Sequence, residues 1–338
     1  MVQIVLERLS SIKVNMRKIL VTGCAGFIGN VTSRLLAQQG YEVLGLDNLS
    51  DYYDVSLKQW RLNLLRETQG VELIEGDLEN PDLLREIFSN NRLDAVINLA
   101  GRAGVRYSME NPHAYTETNA MGTLNLLEVM KEFEVKKLVL ASTSSLYAGL
   151  EMPFLETLPV NTPISPYAAS KKAAEVMAYT YHHLYDIDVT VNRFFTVYGP
   201  AGRPDMSPFR FIKWIDQGTP ITLYGDGTQS RDFTYVEDIS RGVIASLKPV
   251  GYEIVNLGGG QNPISMNHMI ETFESLLGKK AIIDHQPFNK SDMMHTWADI
   301  DKADRLLGWK PEVGFEEGMK KTVDWYLENK EWASKIET

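Results

Sequence analysis

Short runs of Val, Ile and Leu recur along the first 195 residues: KILVTG (18–23), YEVLGLD (41–47), VELIEGD (71–77), DAVINLA (94–100), KLVLAS (137–142) and DVTVNRF (188–194). Such runs, apolar at consecutive positions, mark strands buried on both faces. Between them the apolar positions change to helical spacing, over 28–39, 57–66, 81–88 and 121–133. Strand and helix in repeated alternation predict an α/β fold: a doubly wound parallel sheet, whose ligands bind outside the carboxyl ends of the strands.

After about residue 195 the rhythm changes. Gly and Pro punctuate the chain (YGPAGRPDMSP, QGTPITLYGDGTQS, LGGGQNP), helical patterns follow at 265–278 and 299–309, and strand patterns become sparse. This predicts a smaller α/β region, residues 195–338, built on the carboxyl edge of the sheet formed by 16–194. No repeat or low-complexity linker separates them, so their boundary is expected to be interleaved, with a cleft between the parts. Residues 1–15 precede Met16-Arg-Lys and read as an N-terminal extension.

Composition narrows the partners. The 338 residues are 44% hydrophobic and carry 34 basic against 44 acidic side chains, a net charge of −10. That supports a sizeable core and argues against wrapping nucleic acid, which needs Lys and Arg surfaces. No apolar run is long enough to span a bilayer. The single cysteine, Cys24, can form neither an internal disulfide nor a metal cluster, which suits a reducing compartment and a soluble, cytoplasmic protein without a bound metal.

The first chemical signal is TGCAGFIG, which places Gly23, Gly26 and Gly29 between the first strand and the first helix. Glycines there permit a tight turn, close approach of backbone to a pyrophosphate, and close helix–strand packing. The helix N-terminus offers free N–H groups and positive dipole to the anion. Asp47, at the end of the second strand, can accept hydrogen bonds from a ribose diol and repel a 2′-phosphate, which favours NAD over NADP. The plainer reading of Asp47, and of Asp77 after the third strand, is a helix N-cap.

The second signal is Tyr167-Ala-Ala-Ser-Lys171, whose spacing puts the phenol and the ammonium on one helix face. A lysine ammonium near a phenol lowers its pKa, so Tyr167 is expected to act as a base near neutrality. Thr143, at the end of the fifth strand, supplies a neighbouring hydroxyl.

With its G-x-x-G-x-x-G loop and its Tyr167/Lys171/Thr143 set, the chain resembles the extended short-chain dehydrogenase/reductases, from residue 17 onward. The resemblance implies an NAD site made by Gly23, Gly26, Phe27, Ile28, Gly29, Asp47, Asn48, Asp77, Leu78, Leu99 and Ala100, with Tyr167 and Lys171. Asp77 would hold the adenine and Lys171 the nicotinamide ribose.

Later motifs resemble the nucleotide-sugar branch of that superfamily. NRFFTVYGP (192–200) implies Thr196 at the substrate pyrophosphate, PITLYGDG (220–227) a strand along the base, SRDFTYVEDI (230–239) Arg231 at the diphosphate, and Asp292 a contact to the nucleotide ribose. Dehydratases of this branch place an acid where this chain has Ser145, so elimination of water is not implied. GRAGVRYSMENP (101–112) and GPAGRPDMSPF (199–209) resemble the UDP-glucuronate 4-epimerases, which act as homodimers. This implies isomerase activity: conversion of UDP-glucuronate to UDP-galacturonate through a 4-keto intermediate with transient NADH.

That intermediate is a β-keto acid, which loses CO₂ unless its carboxylate is pinned, and a planar guanidinium suits the task. Arg203, in the G-R-P-D-M motif, is the implied partner, aided by Thr143 and Ser144, with Arg106 beneath the sugar. The alternatives are a UDP-glucose or UDP-N-acetylglucosamine 4-epimerase, a UDP-glucuronate decarboxylase and a non-catalytic NAD-binding sensor. Gly101 and Arg102 depart from the family's usual Ala and Gln. An apolar stripe on the Tyr167 helix, Ala174, Met177, Ala178 and Tyr181, is either a dimer face or core.

Overall fold

The computed structural model describes residues 18–260, 263–288 and 292–338. The extension at 1–15 and residues 289–291, just before Asp292, lie outside the described residues.

Seven parallel strands form the central sheet in the spatial order Tyr252–Leu257, Asp188–Phe194, Lys137–Thr143, Ala95–Asn98, Lys18–Thr22, Glu42–Asp47, Val71–Glu75. All six strands expected from the apolar runs are present. The seventh, Tyr252–Leu257, comes from beyond residue 195 and pairs in parallel with Asp188–Phe194. Its first three residues are only half-buried, so its sequence lacks the continuous apolar signature of the inner strands. The helix Val236–Ala245 returns as well, to pack on Phe27–Gln38. The later part of the chain is therefore woven into the sheet of the earlier part.

Alternation along each strand builds two cores. Leu20, Leu44, Leu46, Val96, Leu138, Leu140, Val189 and Val191 face one side. Ile19, Val21, Val43, Ala95, Ile97, Val139, Val255 and Leu257 face the other. Burying a Val, Leu or Ile side chain is worth about 1.5–3 kcal/mol, so both faces contribute heavily. Local signals start the helices. Asn80 accepts from the N–H groups of Asp82 and Leu83 ahead of Pro81, and Ser165 accepts from that of Ala168 ahead of Pro166, so caps and N1 prolines act together.

A third core lies between the helices Ser207–Gln217, Met266–Leu277 and Phe315–Glu328, with Phe209, Ile212, Met269, Phe273, Met319 and Tyr326 at its centre. Beside it, Ile221–Tyr224 and Ile283–Gln286 form a small parallel sheet. Among the described residues no helix is long and apolar enough to cross a membrane.

The helix Pro166–Tyr185 settles the stripe. Ala174 and Ala178 are buried, and Met177 and Tyr181 pack against the same core. The stripe is intrachain core rather than a dimer face. A different set, Val176, Tyr179 and Leu184, is exposed.

Candidate active site

Strand order reverses between Lys18–Thr22 and Ala95–Asn98, and the crevice at that switch point is where a doubly wound sheet receives a ligand. A cleft of about 960 Å³ opens there and continues to the second region. Gly23, Asp47 and Asp77 line one end; Tyr167, Thr143 and Arg203 line the middle; Tyr224, Arg231 and Asp292 line the other end.

The glycine loop is built for close approach. Gly23 has φ +71°, and a Cβ there would lie 2.7 Å from the Ala100 nitrogen. A Cβ at Gly29 would overlap the Gly23 carbonyl oxygen. The helix Phe27–Gln38 has neither a side-chain cap nor an acid in its first turn, so its N–H groups and dipole remain available to an anion. Asp47 caps no helix. Its carboxylate accepts from the N–H groups of Ala25 and Leu49, both at 2.9 Å, which fixes it at the strand end beside the loop. Asp77 accepts from the Glu79 N–H and the Asn48 amide, each at 2.8 Å, while Asn80 caps the helix that follows. Phe27, Ile28, Asn48, Leu78, Leu99 and Ala100 also line this end. A glycine cradle, an open helix N-terminus and two carboxylates at adjacent strand ends fit an unphosphorylated dinucleotide such as NAD.

In the middle of the cleft, Tyr167 and Lys171 project from one face of their helix, and Thr143 ends its strand opposite them. The Thr143 hydroxyl accepts from the Ser145 N–H at 3.1 Å, and Tyr167 is hydrogen-bonded to Thr143. Burial pushes the Tyr167 phenol up, partly offset by the Thr143 hydrogen bond and the positive charge of Arg203. This corrects the expectation that Lys171 pulls the phenol down. The Lys171 ammonium donates to the Ala141 carbonyl at 3.2 Å, and burial lowers its own pKa to about 8. Lys171 still keeps its charge below that pH, and the cation that lowers the Tyr167 phenol is Arg203. A Cβ at Gly101 would lie 2.8 Å from the Lys171 ammonium nitrogen, so glycine at this position leaves the lysine its room. Arg102 also lines the cleft; its backbone N–H donates to Asn119 at 2.9 Å.

Two supporting arginines escaped the sequence reading. Arg193 and Glu175, both buried, form a two-pronged pair at 2.9 and 2.8 Å, and Ser142 also donates to Glu175. Burial raises the Glu175 pKa, but hydrogen bonds and charge from Arg193 prevail and hold it below the ordinary value. The pair locks the Tyr167 helix onto the sheet one turn beyond Lys171. Arg61 is the other. It donates to Ala25 in the glycine loop at 3.2 Å and to Ala201, just before Arg203, at 2.6 Å, which ties the glycine-loop end of the site to the Arg203 loop. The signal was legible: Lys58 and Arg61 fall among Leu57, Leu62 and Leu65 on the buried face of Val55–Arg66.

On the substrate side, Arg203 is neither a solvent arginine nor an open fork. Its Nε and Nη2 donate to the two carboxylate oxygens of Asp205 at 3.0 and 2.6 Å, and Nη2 also donates to the Ala103 carbonyl at 3.2 Å. Arg106 pairs with Asp292 at 2.6 Å and stacks on Tyr224, 4.0 Å from the ring centroid. Arg231 donates to the carbonyls of Ser230 and Met294 and pairs with neither Glu237 nor Asp238; burial lowers its pKa, and Asp292 opposes the shift. Thr196 and Ser144 line the same cleft. No group of His, Cys, Asp and Glu side chains among the described residues has metal-binding geometry.

A family model described as GDP-mannose 4,6 dehydratase matches residues 20–322. The UDP-glucuronate 4-epimerase of Thermodesulfobacterium geofontis is 60% identical over 317 residues, covering 94% of this chain and 98% of the relative. Of solved structures, the UDP-glucuronic acid 4-epimerase of Bacillus cereus, in complex with UDP-glucuronic acid and NAD, matches with TM-score 0.87 at 36% identity, over 92% of this chain and 99% of that one. The UDP-glucose 4-epimerase of Thermotoga maritima matches with TM-score 0.84 at 31% identity, over 92% and 99%. A model match over most of the chain, close relatives along nearly its whole length, and the Gly23 loop facing Tyr167 and Lys171 make this chain a member of the GDP-mannose 4,6 dehydratase family of extended short-chain dehydrogenase/reductases.

Proposed function

We propose that the protein is an NAD-dependent isomerase that inverts C4 of UDP-glucuronate to give UDP-galacturonate. One observation carries the reading: Tyr167, Thr143 and Arg203 line the middle of a single cleft that runs from the glycine loop to Arg231. Proton transfer and carboxylate recognition are thereby brought to one place. The sequence identity of 60% to a UDP-glucuronate 4-epimerase agrees with it.

Bound NAD supplies a reversible hydride acceptor for the sugar carbon. The chain's own part begins with Gly23, Gly26, Gly29 and Asp47, which hold and orient the dinucleotide. Lys171 and Tyr167 meet its nicotinamide ribose. Tyr167 Oη takes the C4 hydroxyl proton and returns it, with Thr143 bridging phenol and sugar oxygen. Burial in the cofactor-free chain favours the neutral phenol, so the phenolate that takes this proton, and later gives the same proton back, would depend on positive charge at the site, from Arg203 and, when bound, from the oxidised nicotinamide. Arg231 and Thr196 take the diphosphate, Asp292, paired with the Arg106 expected beneath the sugar, takes the nucleotide ribose, and Arg203 with Ser144 receives the uronate. We read 16–194 as the NAD-binding part and 195–338 as the nucleotide-sugar part. No carboxylate stands at Ser145 to support elimination.

The chain is further read as a cytoplasmic homodimer: its one cysteine is buried and unpaired. Val176, Tyr179 and Leu184, each more than half exposed, give the Tyr167 helix an apolar face for a second copy. Light scattering tests the dimer; a monomer at micromolar concentration refutes it. Comparing turnover of UDP-glucuronate with UDP-glucose tests the function. Faster reaction of the neutral sugar overturns the uronate assignment, as does loss of both ligands alike in Arg203→Ala, since that change should weaken UDP-glucuronate far more than UDP.

A further inference from the structure

Arg203 has five N–H donors, and three are committed. The N–H of Nε and one of Nη2 go to Asp205, and the second of Nη2 points to Ala103. The same carbonyl accepts from the Tyr115 hydroxyl at 3.2 Å, and the Tyr115 ring meets Tyr167 edge-on with centroids 6.0 Å apart. Tyr52 and Tyr53 lie 5.5 and 6.0 Å from the guanidinium, and Arg61 anchors the preceding Ala201 and Gly202 carbonyls. Nη1 has no hydrogen-bond acceptor among the described residues. The guanidinium is held in plane and in rotation from one edge, with one nitrogen left to bind.

We propose that Asp205 is a positioning residue that fixes the direction from which Arg203 meets the substrate's carboxylate, and thereby guards the oxidised sugar against loss of CO₂. The inference rests on the reading of Arg203 as the partner of the uronate. A planar fork otherwise offers a carboxylate more than one edge, at different angles. With the Nε/Nη2 edge filled by the chain's own carboxylate, the uronate is confined to Nη1, and its C5–C6 bond takes one orientation relative to the C4 carbonyl. Decarboxylation breaks that bond, releases CO₂, places its electron pair in the carbonyl as an enolate, and ends with a proton on C5. It proceeds only when the bond stands perpendicular to the carbonyl plane, so a guanidinium free to swing lets it begin.

The test is Asp205→Asn, which removes the charge and one acceptor at a partly exposed loop position without changing shape. CO₂ release and UDP-linked pentose are measured by mass spectrometry during turnover of UDP-glucuronate, beside UDP affinity by calorimetry and the same measurements on Arg203→Ala. The expected result is a rise of about tenfold or more in the fraction of turnovers ending in CO₂, with UDP affinity unchanged. A product ratio equal to that of the unmodified protein overturns the proposal. So does loss of UDP affinity in Asp205→Asn, which would make Asp205 a support for the loop. If Arg203→Ala leaves uronate binding intact, the underlying reading of Arg203 fails. If it weakens the uronate while Asp205→Asn leaves the product ratio alone, only the role of Asp205 fails.

Discussion

Replacing Lys171 by methionine should make the cofactor-free protein more stable while disabling it. The ammonium is buried, its hydrogen bond runs to a neutral carbonyl at 3.2 Å, and burial has moved its pKa from 10.5 to about 8. At about 1.4 kcal/mol for each pH unit, keeping the folded lysine charged at neutral pH costs about 3 kcal/mol. Methionine has a similar shape and no charge. Losing the hydrogen bond returns about 1 kcal/mol, which leaves a net gain of about 2 kcal/mol. With an unfolding entropy of about 0.7 kcal/mol/K for a chain of this length, the melting temperature should rise by about 3 °C. The pH dependence is diagnostic. Below pH 8 both folded and unfolded lysine are protonated and the penalty is constant. Between pH 8 and 10.5 the folded lysine loses its proton while the unfolded one keeps it, so the wild-type protein gains stability with rising pH. The advantage of Lys171→Met should therefore shrink through that window, vanish within it, and give way above it to a deficit of about 1 kcal/mol, the lost hydrogen bond. Calorimetry on NAD-stripped protein at pH 7, 9 and 10.5 measures this. A variant less stable than wild type at pH 7, or an advantage that does not change with pH, refutes the reasoning.

Tyr167→Phe should reduce turnover by at least ~10²-fold, the scale of general acid–base catalysis, with UDP affinity unchanged; near-normal turnover in a coupled assay would reassign the proton transfer. Glu175→Gln leaves the buried Arg193 without its counter-charge, at a cost of about 3–5 kcal/mol. Its melting temperature should drop by about 4–7 °C on the same entropy scale, and an unchanged melt would mean that the pair does not anchor the helix. Burial and the nearby Asp47 raise the Cys24 thiol, so a thiol reagent should label it only on unfolding. Stoichiometric labelling of the native protein within minutes would contradict that. Gly29→Ala should abolish NAD binding, measured by fluorescence, because the new methyl overlaps the Gly23 carbonyl; retained affinity would mean that the loop can open at little cost.

Some of the site was legible because local chemistry determines it. The glycine loop must follow a strand and open a helix, Tyr167 and Lys171 fall on one face because a helix has 3.6 residues per turn, and Asp47 closes its strand wherever that strand lies. Other parts were not. Tyr252–Leu257 was missed because an edge strand is only partly buried and loses the apolar run that marks inner strands. The Ala174/Met177/Ala178/Tyr181 stripe is apolar whichever surface covers it, and only the fold shows that the subunit's own core does. Arg203 was expected to offer its fork, but whether a neighbouring Asp205 turns back onto it depends on the loop's path.

The sequence by itself determined the parallel α/β class, the order of its inner strands and helices, and the placement of the Gly23 loop and the Tyr167–Lys171 pair. Each follows from hydrophobic period, capping or turn chemistry acting within a few residues. Tertiary structure decided what surrounds each charge: Lys171 beside a neutral carbonyl, Glu175 against Arg193, Arg203 gripped by Asp205 and acting on Tyr167. Burial and charges brought close from distant parts of the chain set those pKa values and directions, and no local pattern encodes them.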